Sequence, residues 1–296
     1  MAFLWRKYMS ASISVKSFVG FLAITCLCFS SNLPAQELAP GKTIEILFPK
    51  ESMSPTLYTM MTGQETPPCL TIRIPDDFDP NKIYPLLVYV PGFNGGAKGN
   101  IYNAQTIAGP RGWVVATLPL FKKSIDPNEP AGGVIVSFQD YPVISKAYEI
   151  ILGRIFEMFP NIDRQKSAMV GFSNGAITIA VLVSCQNEFV LTHFRNFCIV
   201  DHGMFHLADL HKKYAKDCRY AIFVGDKQDQ GRDLKIRQSQ LQQDEWKLLG
   251  VNLSYYIMKD TGHEFQDRHM ALVGKWLRNE SLNEPNAPVD ANNRGR

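Results

Sequence analysis

Residues 167–182 read Ser167-Ala168-Met169-Val170-Gly171-Phe172-Ser173-Asn174-Gly175-Ala176-Ile177-Thr178-Ile179-Ala180-Val181-Leu182. A short apolar run suited to a strand ends at Gly171, and a helical pattern opens at Asn174. Gly171 and Gly175 bracket Ser173 between them, as Gly-x-Ser-x-Gly. At ordinary Gly and Ser usage near 7% each, that string arises by chance about 0.1 times in a chain of this size, so its weight comes from its flanks. A strand before and a helix after are what a nucleophile elbow requires. The glycines permit a tight turn that lifts the Ser173 hydroxyl clear of the sheet, and the helix N-terminus sets positive partial charge beside a reacting carbonyl. The competing reading is a Gly-rich turn with only a structural role.

Working outward, further β-branched or aromatic runs occur at Cys69–Ile74, Leu86–Val90, Trp113–Leu118, Asn196–Val200, Tyr220–Val224 and Leu253–Met258. Helical patterns alternate with them at about 139–159, 174–186, 231–249 and 264–278. Strands apolar throughout and separated by helices imply a mostly parallel central sheet covered on both faces. The expected class is therefore α/β, as one domain over residues 36–279 without Ser/Gly linker or internal repeat. Ligands in such sheets sit outside the carboxyl ends of the strands.

An unactivated serine is a poor nucleophile, so Ser173 demands a later histidine and an acid to orient it. His263, in Asp260-Thr261-Gly262-His263-Glu264-Phe265, directly follows the last strand pattern and is the expected base. His193, His211 and His269 read as surface residues. The acid is sought after Tyr220–Val224, in Gly225-Asp226-Lys227-Gln228-Asp229-Gln230. Asp229 is preferred because it has the reach of a loop residue. Asp226 is the alternative acid, although a place so near the strand end also suits a turn. Asp201, just past the preceding strand, is a third candidate. Backbone donors for a developing oxyanion are expected from Asn174 and from the Gly-rich loop Pro91-Gly92-Phe93-Asn94-Gly95-Gly96, with Phe93 preferred and Asn94 next.

The order Ser173, Asp229, His263, with an upstream Gly-rich loop, resembles the α/β-hydrolase superfamily. Ile72-Arg73-Ile74-Pro75 followed by Tyr84-Pro85-Leu86-Leu87-Val88-Tyr89-Val90-Pro91-Gly92 is similar to its esterase and polyhydroxybutyrate-depolymerase-like group. The resemblance spans about residues 69–278. It departs in two places: Pro91-Gly92 stands where that group usually has His-Gly, and Gln228 stands where it usually has its acid. The resemblance implies a serine esterase acting on a small-molecule or polymeric ester, with no cofactor. Fewer than 20 residues separate Val200 from Arg219, too few for a cap of several helices, so an open site without a large cap domain is expected. Pro119–Phe138, with Gly132-Gly133, is the longest irregular stretch and reads as a wall or lid. The alternatives are a noncatalytic binding protein on the same fold, or a peptidase or amidase using the same triad.

The ends of the chain read differently from its middle. Residues 1–35 have a basic start, an apolar run Phe18–Phe29 and a polar end closing at Ala35, the three parts of a secretory signal. Twelve residues at 1.5 Å each span about 18 Å of a bilayer core about 30 Å thick. An export signal is thus expected over a retained anchor, with a secreted or periplasmic destination and no stable membrane insertion after cleavage. Residues 280–296 are nearly devoid of apolar side chains and read as a disordered tail.

The full chain carries 31 basic and 28 acidic groups, but Arg6, Lys7 and Lys16 lie in the leader and the remainder is balanced. That balance gives no electrostatic reason to expect nucleic acid as a partner. Cys69, Cys185, Cys198 and Cys218 admit one or two disulfides or stay as buried thiols, and their spacing matches no zinc pattern. His202, His206 and Asp209 invite a metal reading, but Gly203 weakens the helix it needs and no HExxH glutamate is present, so no metal is expected.

Overall fold

The computed structural model describes residues 38–55, 58, 67–92, 98–120, 138–202, 217–227 and 232–282. The chain divides into a unit Met1–Glu37 and a unit Leu38–Arg296, and the described residues belong to the second. The expected export signal lies outside them, as do the tail beyond residue 282 and most of the irregular stretch after Pro119.

The frame is an eight-stranded sheet in the order β1-β2-β4-β3-β5-β6-β7-β8. Its strands are β1 (Thr43–Leu47), β2 (Cys69–Arg73), β3 (Leu86–Val90), β4 (Val114–Thr117), β5 (Ala168–Phe172), β6 (Asn196–Val200), β7 (Arg219–Gly225) and β8 (Asn252–Met258). β1 pairs antiparallel with β2 through Ile44↔Ile72, and β2 pairs antiparallel with β4. Every pairing from β4 through β8 is parallel. The helices are α1 (Ile101–Ala108), α2 (Tyr141–Met158), α3 (Asn174–Ser184), α4 (Glu188–His193), α5 (Arg232–Leu248) and α6 (Asp267–Leu277).

A period of two along each strand sends alternate side chains into two separate cores. From β3, Leu86, Val88 and Val90 enter one core beside Ile151 and Leu152 of α2, Ile179 of α3 and Trp246 of α5. Leu87 and Tyr89 enter the other, beside Ile107 of α1 and Val273 and Trp276 of α6. All five β3 side chains are buried, so the strand has no polar face, as the unbroken apolar run Leu86–Val90 implies. On the second face α1 and α6 approach closely: a Cβ on Gly274 would lie 2.2 Å from the Ile107 carbonyl oxygen.

β3 and β5 are neighbours, and the crossover from β3 runs to β4 on one side while that from β5 runs to β6 on the other. Such a reversal opens a crevice at the carboxyl ends of the two diverging strands. Pro91-Gly92 leave β3 there, and Ser173 leaves β5 there. Among the described residues no cap domain stands over the sheet, and no helix is long and apolar enough to cross a membrane.

Candidate active site

Ser173 occupies the turn between β5 and α3 with φ 53° and ψ −118°, a left-handed backbone in a non-glycine residue. Such a conformation costs roughly 1–3 kcal/mol and persists only where its surroundings hold it. Here they do. The Ser173 N–H donates to the Val200 carbonyl of β6 at 2.9 Å. A Cβ on Gly171 would meet the Gly175 carbonyl at 2.4 Å, and one on Gly175 would meet the Val90 carbonyl at 2.1 Å. Both glycines are therefore required by space, because the turn folds back on itself and α3 starts against the end of β3. Asn174 is the first residue of α3 and is buried, so its backbone N–H belongs to the positive end of the helix.

His263 follows β8 and must reach a serine that follows β5. The two strands are three steps apart in the sheet order, about 14 Å at ordinary strand spacing. The loop achieves this by crossing the end of β7, where Gly225 leaves room: a Cβ there would lie 2.3 Å from the Thr261 carbonyl oxygen. The Lys227 N–H donates to that same Thr261 carbonyl at 2.9 Å. His263 Nε2 then sits 2.8 Å from Ser173 Oγ, and Nδ1 sits 2.6 Å from Asp201 Oδ2. A carboxylate accepts only, so Nδ1 carries the proton and donates it to Asp201. The Nε2 lone pair is left facing the Ser173 hydroxyl.

The carboxylate on His263 is thus Asp201, and the preference for the loop after β7 is corrected. Asp201 directly follows β6, which lies between β5 and β7, in the path the histidine loop takes across the sheet edge. Its φ of 56° is one that Asp tolerates better than most residues. Its N–H donates to the Phe223 carbonyl at 2.7 Å, and its Oδ1 accepts the Gly225 N–H at 3.1 Å. The side chain is fully enclosed, a condition a carboxylate withstands only when hydrogen-bonded on both oxygens. Asp226, the alternative, instead accepts the Thr261 N–H at 3.4 Å and fastens the histidine loop. Asp229 lies outside the described residues, and the Nδ1 position it was expected to fill is taken. Phe93 and Asn94 also lie outside them.

Further aromatic and histidine side chains surround Ser173, His263 and Asp201. The Phe172 ring stacks on the His263 imidazole with centroids 5.1 Å apart, and His202 meets the same imidazole edge-on at 6.4 Å. His269, expected on the surface, is buried on α6 with Nε2 3.3 Å from Thr261 Oγ1. His193 packs between Phe156 and Phe189, and burial pushes its basicity down. The signal for Asp201 was present: a lone acid directly after five apolar or buried residues of a central strand. Among the described residues no group of His, Cys, Asp and Glu could hold a metal ion, and His206 and Asp209 lie outside them. Cys69, Cys185, Cys198 and Cys218 are all free thiols, so no disulfide joins them.

No protein-family model matches the sequence, and no curated protein matches it. Solved structures do match its architecture. A mutant of the feruloyl esterase module from Clostridium thermocellum, complexed with sinapinate, superposes at a TM-score of 0.52 with 11% identity over 82% of this chain and 88% of that one. An S-formylglutathione hydrolase from Agrobacterium tumefaciens gives 0.51 with 13% identity over 82% and 95%. A Thermus thermophilus protein gives 0.50 with 11% identity over 80% and 98%. Identities this low speak for the fold alone, and with the sheet order and the strained serine turn they lead to one conclusion: this chain has the α/β-hydrolase fold, with no large cap among the described residues.

Proposed function

We propose that this protein is an exported serine hydrolase that cleaves carboxylic esters through an acyl-enzyme on Ser173. The observation that carries the reading is the continuous hydrogen-bonded chain from Ser173 through His263 to Asp201. The fold neighbours named as an esterase and a hydrolase support it, and the basic–apolar–polar pattern of residues 1–35 supports export.

In acylation, Ser173 Oγ attacks the ester carbonyl carbon as its proton passes to His263 Nε2. The imidazolium so formed is held by the Asp201 carboxylate, which keeps its own charge. Negative charge develops on the former carbonyl oxygen beside the N-terminus of α3, where the Asn174 N–H receives it, with Phe93 the proposed second donor from the loop after β3. Collapse of the intermediate breaks the bond to the alcohol, and His263 returns the proton to that leaving oxygen. Water then repeats the sequence on the acyl-enzyme, releasing the acid and restoring Ser173.

A panel of p-nitrophenyl esters of increasing acyl length tests this. Wild type should turn them over, and a folded Ser173→Ala variant should lose about a thousandfold or more in kcat. An inert wild type, or a variant keeping a tenth of wild-type kcat, would overturn the reading.

A further inference from the structure

His263 is hydrogen-bonded at both ring nitrogens, Nδ1 to Asp201 and Nε2 to Ser173, and these two partners define an axis through the ring. They set that axis firmly and resist rocking of the ring about it only weakly. The His263 side chain is also 45% exposed, so burial does not confine it. What lies against its face is Phe172, the last residue of β5, at 5.1 Å with 27° between the planes. Phe172 stacks in turn on Phe265 at 6.0 Å and 19°, and Phe265 stacks on Tyr89 at 6.5 Å and 22°.

The far end of this column is buried and hydrogen-bonded. Tyr89 is a buried β3 side chain whose hydroxyl accepts from Asn103 Nδ2 at 2.8 Å, and burial pushes its phenol up to about 12, so it stays uncharged. The Phe172 ring is confined from another side by Gly92, where a Cβ would lie 3.0 Å from Phe172 Cδ1. Phe265, two residues after His263, also docks the histidine loop onto the body of the domain.

We propose that Phe172, backed by Phe265 and Tyr89, is a positioning residue for His263: its ring face fixes the imidazole plane and favours the imidazolium that forms during acylation. This rests on the serine-hydrolase reading above. The electrostatic part follows from the negative face of an aromatic ring, which attracts a cation stacked within about 6 Å. Among the described residues, the other charged or titratable groups against the imidazole are the Asp201 carboxylate just after β6, the edge of His202 and the Ser173 hydroxyl.

The experiment compares wild type, Phe172→Leu and Phe172→Tyr on p-nitrophenyl acetate across pH. Phe172→Leu should lower kcat about five- to tenfold with KM held within about twofold. The acid limb of its pH–rate profile should move lower by about half a pH unit, because a base that loses stabilisation of its protonated form stays neutral to lower pH. Phe172→Tyr, which keeps the ring, should restore both. Phe265→Leu, removing the second layer, should act in the same direction to a smaller extent and stands in if Phe172→Leu does not fold. A raised KM with unchanged kcat and acid limb would overturn the proposal and make the ring a substrate wall. Wild type without ester turnover would instead overturn the Ser173 reading itself.

Discussion

A fully enclosed carboxylate such as Asp201 has to be hydrogen-bonded, and its partners include the Gly225 N–H and His263 Nδ1. Replacing it by an amide keeps the shape but allows the NH2 group to face Nδ1, which favours the wrong imidazole tautomer. Asp201→Asn should therefore lower kcat about 10³- to 10⁴-fold with little change in KM. Asp226→Asn should keep kcat within about threefold, since Asp226 touches Thr261 and not the imidazole. Steady-state kinetics of the two variants checks both, and the reverse ranking would return the role to the loop after β7. Ser173 and His263 were legible in the sequence because each is marked locally, by bracketing glycines and by its place after the last strand. The acid was not, because all three candidates follow strands, and only the lateral order of β5, β6 and β7 distinguishes the one beneath the path of the histidine loop.

Elements were legible wherever burial made a run uniformly apolar. β3 and β6 coincide with the runs Leu86–Val90 and Asn196–Val200, and α2, α3, α5 and α6 fall within the helical patterns read for them. β1 went unread because it is an antiparallel edge strand whose burial alternates, with only Ile44 fully covered. α1 was also missed, being eight residues long with several polar ones. The close join of α3 to β3 yields a prediction at this scale. In Gly175→Ala the new Cβ cannot coexist with the Val90 and Pro91 carbonyls, so α3 must shift at a cost of about 1–3 kcal/mol. Calorimetry should show Tm falling by roughly 2–4 °C per kcal/mol, together with loss of ester turnover. Gly153→Ala, inside α2 with open space around it, should stabilise by about 0.5–1 kcal/mol. A Gly175→Ala enzyme as stable and active as wild type would contradict the close join.

The described residues form two apolar cores, and no disulfide joins Cys69, Cys185, Cys198 and Cys218. The four cysteines of the folded unit are free, so dithiothreitol should leave Tm unchanged, whereas a lost disulfide would cost several kcal/mol. Burial raises the phenols of Tyr89 (up to about 12), Tyr148, Tyr220 and Tyr255 above their ordinary value near 10. A group whose folded value is raised contributes stability that is complete below the unfolded value and lost as pH climbs through the folded one. Denaturant midpoints should accordingly fall as pH rises from about 10 to 12. The sheet order that builds these cores also converges the segments after β5, β6 and β8 on one serine, Ser173. Intact-protein mass spectrometry after treatment with a fluorophosphonate reads whether Ser173 is a nucleophile. One adduct per chain is expected, mapped to Ser173, absent from Ser173→Ala and strongly slowed in Asp201→Asn. An unlabelled wild type, or labelling that persists in Ser173→Ala, would contradict it.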